Sequence, residues 1–189
     1  EAAGASVGNA KLLGNREIES AFVSADILDA AYNGSGQFDK VPLKNLRALG
    51  ALYPETVQLI TRADAGISTV RDLRGKSVSS GAPGSGAYQL LTDLLKVHGM
   101  SRADVREDLS SFAQSVDKMK EGSLHATLIT GGVPVAAITD FAQAQALKII
   151  TLAGPEIVEL QKQQPYYASV KLPANTYKGQ TAPVDTLAV

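Results

Sequence analysis

The chain has 189 residues, 44% of them apolar and 20% charged, with a net charge of −1 and no cysteine. That length makes one large domain or two small ones, with enough chain to bury a real core. The near-zero charge leaves no basic footprint for nucleic acid, no run approaches the ~18 apolar residues of a membrane span, and the lack of cysteine excludes disulfides, thiolate nucleophiles and thiolate metal sites. No stretch has the pattern of a signal peptide, which a mature exported chain would also lack.

Residues 1–15 read as a helix and its end, with Val7, Ala10, Lys11 and Leu12 followed by Gly14-Asn15. Residues 18–23 alternate as a strand, and Ser24-Ala25-Asp26 then caps a short helix running to Tyr32. Ser24 and Asp26 therefore fall at the carboxyl end of an expected strand, where open α/β sheets bind ligands. Taken alone, they read as an N-cap. Asn33-Gly34-Ser35-Gly36 is a loop. Residues 46–52 and 56–61 both read as strands, separated by Tyr53-Pro54-Glu55, the pattern of a chain crossing between two lobes. Ser68 is expected to cap a short helix over 69–73 that ends at Arg74-Gly75.

The most informative stretch is 76–99. A short strand (76–80) leads into Gly81-Ala82-Pro83-Gly84-Ser85-Gly86, and a patterned helix follows. Ala87, Leu90, Leu91, Leu94, Leu95 and His98 share one helical face, and Gly99 stands where a left-handed C′ residue is expected. The first turn of such a helix offers unpaired backbone N–H groups and partial positive charge, which suit a carboxylate, phosphate or sulfate. The loop is no phosphate-binding P-loop, because Ala87 and Tyr88 replace the required Lys and Ser/Thr. G-x-G-x-x-G is absent from it as well. An anion cradle without catalytic groups remains, alongside the plainer reading of a tight turn that packs a helix on a strand.

Downstream, Ser101 with Asp104 resembles a capping box. Phe112, Val116 and Met119 mark a helix closed by Gly122. Residues 124–130 form a strand that ends in Gly131-Gly132-Val133-Pro134, and Pro134 is placed as the first residue of a helix reaching Ala144. Two strand–glycine–helix units side by side would aim two helix N-termini at one crevice. Residues 147–152 read as a strand and 155–163 as a helix. Residues 165–183 are proline-punctuated and irregular, and 185–189 begin a strand with no room to finish. This alternation indicates an α/β fold with mainly parallel sheets and flanking helices.

At this point S-V-G-N-A-K-L-L-G (from Ser6), F-V-S-A-D (from Phe22), L-R-A-L-G-A-L-Y-P-E (from Leu46), D-L-R-G-K-S-V-S-S-G-A-P-G-S-G (from Asp72) and G-G-V-P (from Gly131) stand in one order. In that order the chain resembles the TAXI family of solute receptors for TRAP transporters. The resemblance implies a two-lobed type II periplasmic-binding-protein fold with crossing hinge strands. It implies a first lobe of residues 1–65 with 172–189, and a second lobe of 66–171. It further implies a periplasmic monomer that captures a small organic anion, a glutamate-like amino acid or a dicarboxylate, and hands it to the membrane subunits of a TRAP transporter. No cofactor, catalytic residue or metal is expected. Members of that family start with a further strand and helix and continue past Val189, so both ends are expected to be missing here. The family usually carries Asp where this chain has His125.

The expected ligand residues are Ser24 and Tyr53 from the first lobe, Pro83, Gly84, Ser85 and Gly86 from the glycine loop, and Gly131, Gly132 and Val133 from the second unit. His98 reads as structural and His125 lacks zinc-ligand spacing. Arg71, Arg74 and Lys76 read as a solvated face, and Tyr166-Tyr167 as lining the cleft or packing the hinge. A ligand-sensing domain of a regulator would use the same fold. With two histidines no Ser/His/Asp arrangement is legible, which disfavours an enzyme.

Overall fold

The computed structural model describes residues 5–189. In order it forms α1 (Ala5–Gly14), α2 (Ala25–Asn33), a 3-10 turn (Gly36–Phe38), β1 (Thr56–Arg62), a second 3-10 turn (Val70–Leu73), β2 (Ser77–Ser79) and α3 (Gly86–Val97). A third 3-10 turn (Arg102–Asp104) follows, then β3 (Arg106–Asp108), α4 (Phe112–Lys120), β4 (Ala126–Gly131) and α5 (Ala136–Ala144). The chain closes with β5 (Leu147–Ile149), α6 (Pro155–Gln163), β6 (Ala168–Leu172) and β7 (Val184–Ala188).

All seven strands lie in one sheet, in the order β3-β2-β4-β1-β7-β6, with β5 also paired to β1. Strand β2 runs parallel to β3 and β4, whereas β1 is antiparallel to β4, β5 and β7, and β6 to β7. The α/β class holds, but the sheet is mixed rather than mainly parallel. The reversal comes from β1 and β7, which enter beside one another: Glu55 and Val189 exchange backbone hydrogen bonds at 3.1 Å in both directions. Strands from 1–65 and from 172–189 thus share the sheet built by 66–171.

The expected face of α3 is its buried face. Ala87, Leu90, Leu91, Leu94 and Leu95 are buried, and the leucines pack on Val57 and Leu59 of β1, Val78 of β2 and Leu128 of β4. The other side of the sheet is covered by α4 and α5 through Val116, Met119, Ile138 and Phe141 against Ile60 and Ile129. With both faces covered, the first six residues of β1 are all buried. A third, separate cluster is built by Val7, Ala10, Ile27, Ala31, Phe38 and Leu46. It holds together the segment that precedes the sheet.

Local signals in the sequence translate directly. Ser111 caps α4, and capping boxes close at Thr69–Asp72 and Ser101–Asp104. The cap of the Val70–Leu73 turn is Thr69 rather than Ser68, whose amide instead donates to Asp72 at 2.9 Å. Helix α5 starts at Ala136 with Val135 as N-cap, so Pro134 precedes the helix instead of opening it.

The expected strands at 18–23 and 46–52 do not form. Extended chain becomes a strand only when a neighbour satisfies its ladder, and residues 5–55 contain no strand to pair with. Leu49 and Leu52 are exposed, at 91% and 70%. Conversely, the irregular 165–183 region contains β6, and β7 completes a five-residue antiparallel pairing with it.

Both histidines serve the fold. His98 Nδ1 lies 2.8 Å from the Leu94 carbonyl oxygen at the end of α3. His125 Nδ1 lies 2.6 Å from Ser77 Oγ. Burial pushes its imidazole below the ordinary range, and Lys76, Arg106 and Arg62 add repulsion against the protonated ring. Those three cations would attract a carboxylate. His125→Asp is therefore expected to stabilise the fold by about 0.5–1 kcal/mol at low salt, a gain that shrinks at high salt. Thermal melts at two ionic strengths check it. Leu94→Ala, at the centre of the α3 face, is expected to cost about 2–5 kcal/mol in urea denaturation.

Candidate ligand-binding site

Strands β2 and β4 are parallel neighbours, so the loops that leave their carboxyl ends open on the same edge of the sheet. The first loop turns at Gly81 and Gly84, both at positive φ, +78° and +84°. A Cβ on Gly81 would also stand 2.8 Å from Phe112. Ser85 then caps α3, its hydroxyl accepting from the Tyr88 amide at 3.2 Å. Among the described residues, no acceptor bonds the Gly86 or Ala87 amide. They are the open donors at this helix end. At the second loop, the Val135 amide donates to the Tyr177 hydroxyl at 2.9 Å. Tyr177 in turn donates to Gln58 of β1.

The segment 5–55 lies across this edge. Ser6, in the first turn of α1, accepts from the Ser24 amide at 3.1 Å, and their hydroxyls are 3.2 Å apart. The Val7 amide reaches the Gly84 carbonyl at 3.3 Å. Gly86 meets the first turn of α2 so closely that a Cβ there would stand 2.9 Å from Ser24 Oγ and 3.1–3.2 Å from the Asp26 carboxylate. The first turns of α1, α2 and α3 therefore converge on one point. A Cβ on Gly132 would stand 4.0 Å from the Tyr53 ring.

The structure thus brings Ser24 against Gly84, Ser85 and Gly86, and Tyr53 against Gly132. Gly131 is paired with Thr56 at the end of β4, and Pro83 and Val133 are exposed. The Ser85 hydroxyl is committed to its cap. Tyr166 and Tyr167 divide their roles: Tyr166 lines a groove, whereas Tyr167 is buried and donates to Asp93 at 3.2 Å. Arg71 pairs with Glu156 and Arg74 with Asp104, on the solvated face expected of them.

Three carboxylates gather here that the sequence did not mark as ligand groups. Asp26 is 1% exposed, and neither of its oxygens has a hydrogen-bond partner. Burial pushes its carboxyl up, outweighing the nearby Ser24 hydroxyl and the first amides of α2. Glu55 is raised by burial and then by Asp26, while the Thr130 hydroxyl opposes the shift. Asp93 is also raised by burial, against hydrogen bonds from Gln89 and Tyr167. Asp26 was visible in the sequence as a residue of an N-cap. Its isolation was not, because it arises from the meeting of α2 with Gly86.

Two cavities lie elsewhere among the described residues. One of about 640 Å³ runs between α2 and Pro165-Tyr166, lined also by Asp29, Tyr32 and Arg47, and one of about 370 Å³ lies between α6 and the β6–β7 pair. Neither is lined by the glycine loops, of which Gly84 and Gly86 meet the 5–55 segment while Pro83, Gly132 and Val133 stay exposed. That segment is lightly tied. Among the described residues, one hydrogen bond, Val7 to Gly84, and no ion pair joins 5–54 to 56–189. No group of three or more His, Asp or Glu among the described residues is placed to hold a metal, and no helix is long and apolar enough to cross a membrane.

A mixed sheet with helices on both faces and glycine loops along one edge has the fold of the periplasmic binding proteins. The structure is similar to the periplasmic aliphatic sulphonate binding protein SsuA of Escherichia coli, with a TM-score of 0.58 and 16% identity over 98% of this chain and 52% of that one. It is also similar to the alkanesulfonate-binding protein SsuA of Xanthomonas axonopodis pv. citri bound to MOPS, with a TM-score of 0.55 and 19% identity over 78% of this chain and 47% of that one. The chain spans about half the length of these solved structures. It belongs to the NMT1-like family, whose pattern it matches over residues 1–189.

The Asp26 shift has a defined sign. Its folded carboxyl holds a proton to higher pH than the unfolded one, so the stability this gives is full at low pH and is lost as pH rises through the raised value. Asp26→Asn removes that loss. In the absence of ligand the variant is expected to be more stable than the parent by about 1–3 kcal/mol near pH ~8, the gap closing toward pH ~4. Thermal melts of both proteins across that range check it.

Proposed function

We propose that this protein is an extracytoplasmic solute receptor that captures a small organic anion between two lobes and delivers it to a membrane transporter. The finer reading is a receptor of the TRAP type for a glutamate-like amino acid or a dicarboxylate. The observation that carries the proposal is the meeting of two glycine loops, from adjacent parallel strands, with Ser24 and Tyr53 of a lightly tied covering segment.

On this reading the open Gly86 and Ala87 amides receive a carboxylate, with Gly84 and Ser85 shaping the turn that presents them. Gly131, Gly132 and Val133 contribute backbone contacts, and Ser24 and Tyr53 close over the ligand. A helix N-terminus contributes about 0.3–1 kcal/mol to a nearby anion, up to ~2 when partly buried. Directed amide hydrogen bonds supply the rest. The lobes are residues 1–65 with 172–189 and residues 66–171, and the Glu55–Val189 pairing ties the two chain segments of the first lobe together. Closure is then a hinge motion favoured by a ligand that touches both sides. The site carries binding groups and no nucleophile–base pair.

A thermal-shift panel of amino acids, dicarboxylates and alkanesulfonates tests the proposal. A ligand at about 100 times its Kd raises stability by ~2.7 kcal/mol. At least one small anion is expected to shift the melt. Gly86→Val, which drives side-chain atoms into Ser24 and Asp26, is expected to abolish the shift. A panel without any response removes the receptor reading.

A further inference from the structure

Asp26 is the feature of this crevice that a receptor for a simple dianion does not need. We propose that Asp26 is an anionic subsite that receives a protonated nitrogen of the ligand, which makes the ligand an amino-acid zwitterion rather than a dicarboxylate. The inference rests on the receptor reading and specifies its substrate class.

Position and isolation support it. Asp26 is 1% exposed, and neither carboxylate oxygen makes a hydrogen bond of full geometry, the Ser24 hydroxyl and the first amides of α2 lying near it without offsetting its burial. Buried carboxylates without a donor are rare, because such an oxygen forfeits its hydration and gains nothing in exchange. The oxygens face the first turn of α3, beside the same Gly86 amide that is open to an acidic group. A cationic subsite and an anionic subsite thus sit within one ligand's length. An α-amino acid carries both charges on adjacent atoms.

The surrounding charge favours the same ligand. Glu55 and Asp93 lie close enough to Asp26 to feel its charge, and Asp29 lies on the next turn of α2. Among the described residues none of Asp26, Glu55 and Asp93 is in an ion pair. The basic group acting on them is the exposed Lys96, through Asp93. A dicarboxylate entering here meets like charge. A protonated amine meets a buried carboxylate that lacks a partner. Closure of the 5–55 segment over Asp26 is therefore favoured by a ligand that supplies the missing donor.

Calorimetric titration with L-glutamate and glutarate, which share a carbon chain and two carboxylates and differ by the amine, decides the matter. The other amino acids and their deaminated counterparts extend the comparison. The parent protein is expected to bind an amino acid at least about tenfold more tightly than its deaminated partner. Asp26→Asn is expected to lose that preference by binding the amino acid more weakly and the deaminated acid at least as tightly as the parent does, and retained binding of the deaminated acid also shows that its crevice is intact. If Asp26→Asn does not fold, the parent's preference alone decides. Equal or tighter binding of the deaminated acid by the parent overturns the inference and leaves the receptor reading standing. Equal weakening of both ligands by Asp26→Asn overturns it too, assigning Asp26 to the fold. Binding of no organic anion overturns the receptor reading and the inference together.

Discussion

The close approach of α2 to the first turn of α3 is the constraint on which the site depends. Glycine at position 86 permits it, because a Cβ there would stand 2.9 Å from Ser24 Oγ and 3.1–3.2 Å from the Asp26 carboxylate and would force both side chains aside. The approach places three helix N-termini against one another, each with partial positive charge, and α3 with the open Gly86 and Ala87 amides. Such an arrangement repels itself unless negative charge lies at its centre. Asp26 supplies that charge from within, and the open Gly86 and Ala87 amides leave room for more from a ligand. The same contact closes the crevice, brings a carboxylate out of water and fixes the polarity of the site.

The sheet makes this approach possible. Strands β2 and β4 must be adjacent and parallel for their loops to share an edge, and both are short, so their register is held by neighbours. Strand β1 does that work. Buried along its length, it pairs with β4 over six residues and carries the core residues for both faces. The chain reaches β1 through Tyr53, Pro54 and Glu55, which places the crossing residues beside the crevice.

What the sequence made legible follows from how local each signal is. The buried face of α3 was readable because a leucine pattern with helical spacing commits a helix whatever surrounds it. The capping box at Ser101 closes within four residues and needs no partner, whereas the cap expected at Ser68 falls one residue later, at Thr69. Strands are different. Residues 18–23 alternate as a strand should, yet alternation selects a face and does not supply a neighbour. Proline at 165 and 173 disguised β6, because the antiparallel pairing that makes it a strand lies with β7, whose start at 185 was legible while its partner was not. The glycine loops were legible as turns. The partners they meet were not, since Gly86 faces Ser24 and Gly132 faces Tyr53 only after folding.

Asp26 shows where local reading ends. In the sequence it is the second residue after a serine, a common place for an acid to complement a helix dipole. An exposed acid in that position would be ordinary. Folding turns it into something else by placing Gly86 over it and Glu55 and Asp93 around it, so that a favourable local charge acquires a large desolvation cost. The Ser24 hydroxyl and the first amides of α2 offset part of that cost and burial exceeds the offset. On the proposed receptor reading, a segment that closes over such a group while held by one hydrogen bond is poised between open and shut, because the carboxylate favours water and the apolar contacts favour cover. The balance is then set by whatever donates a hydrogen bond to Asp26, and selectivity for a ligand and closure around it become one physical event.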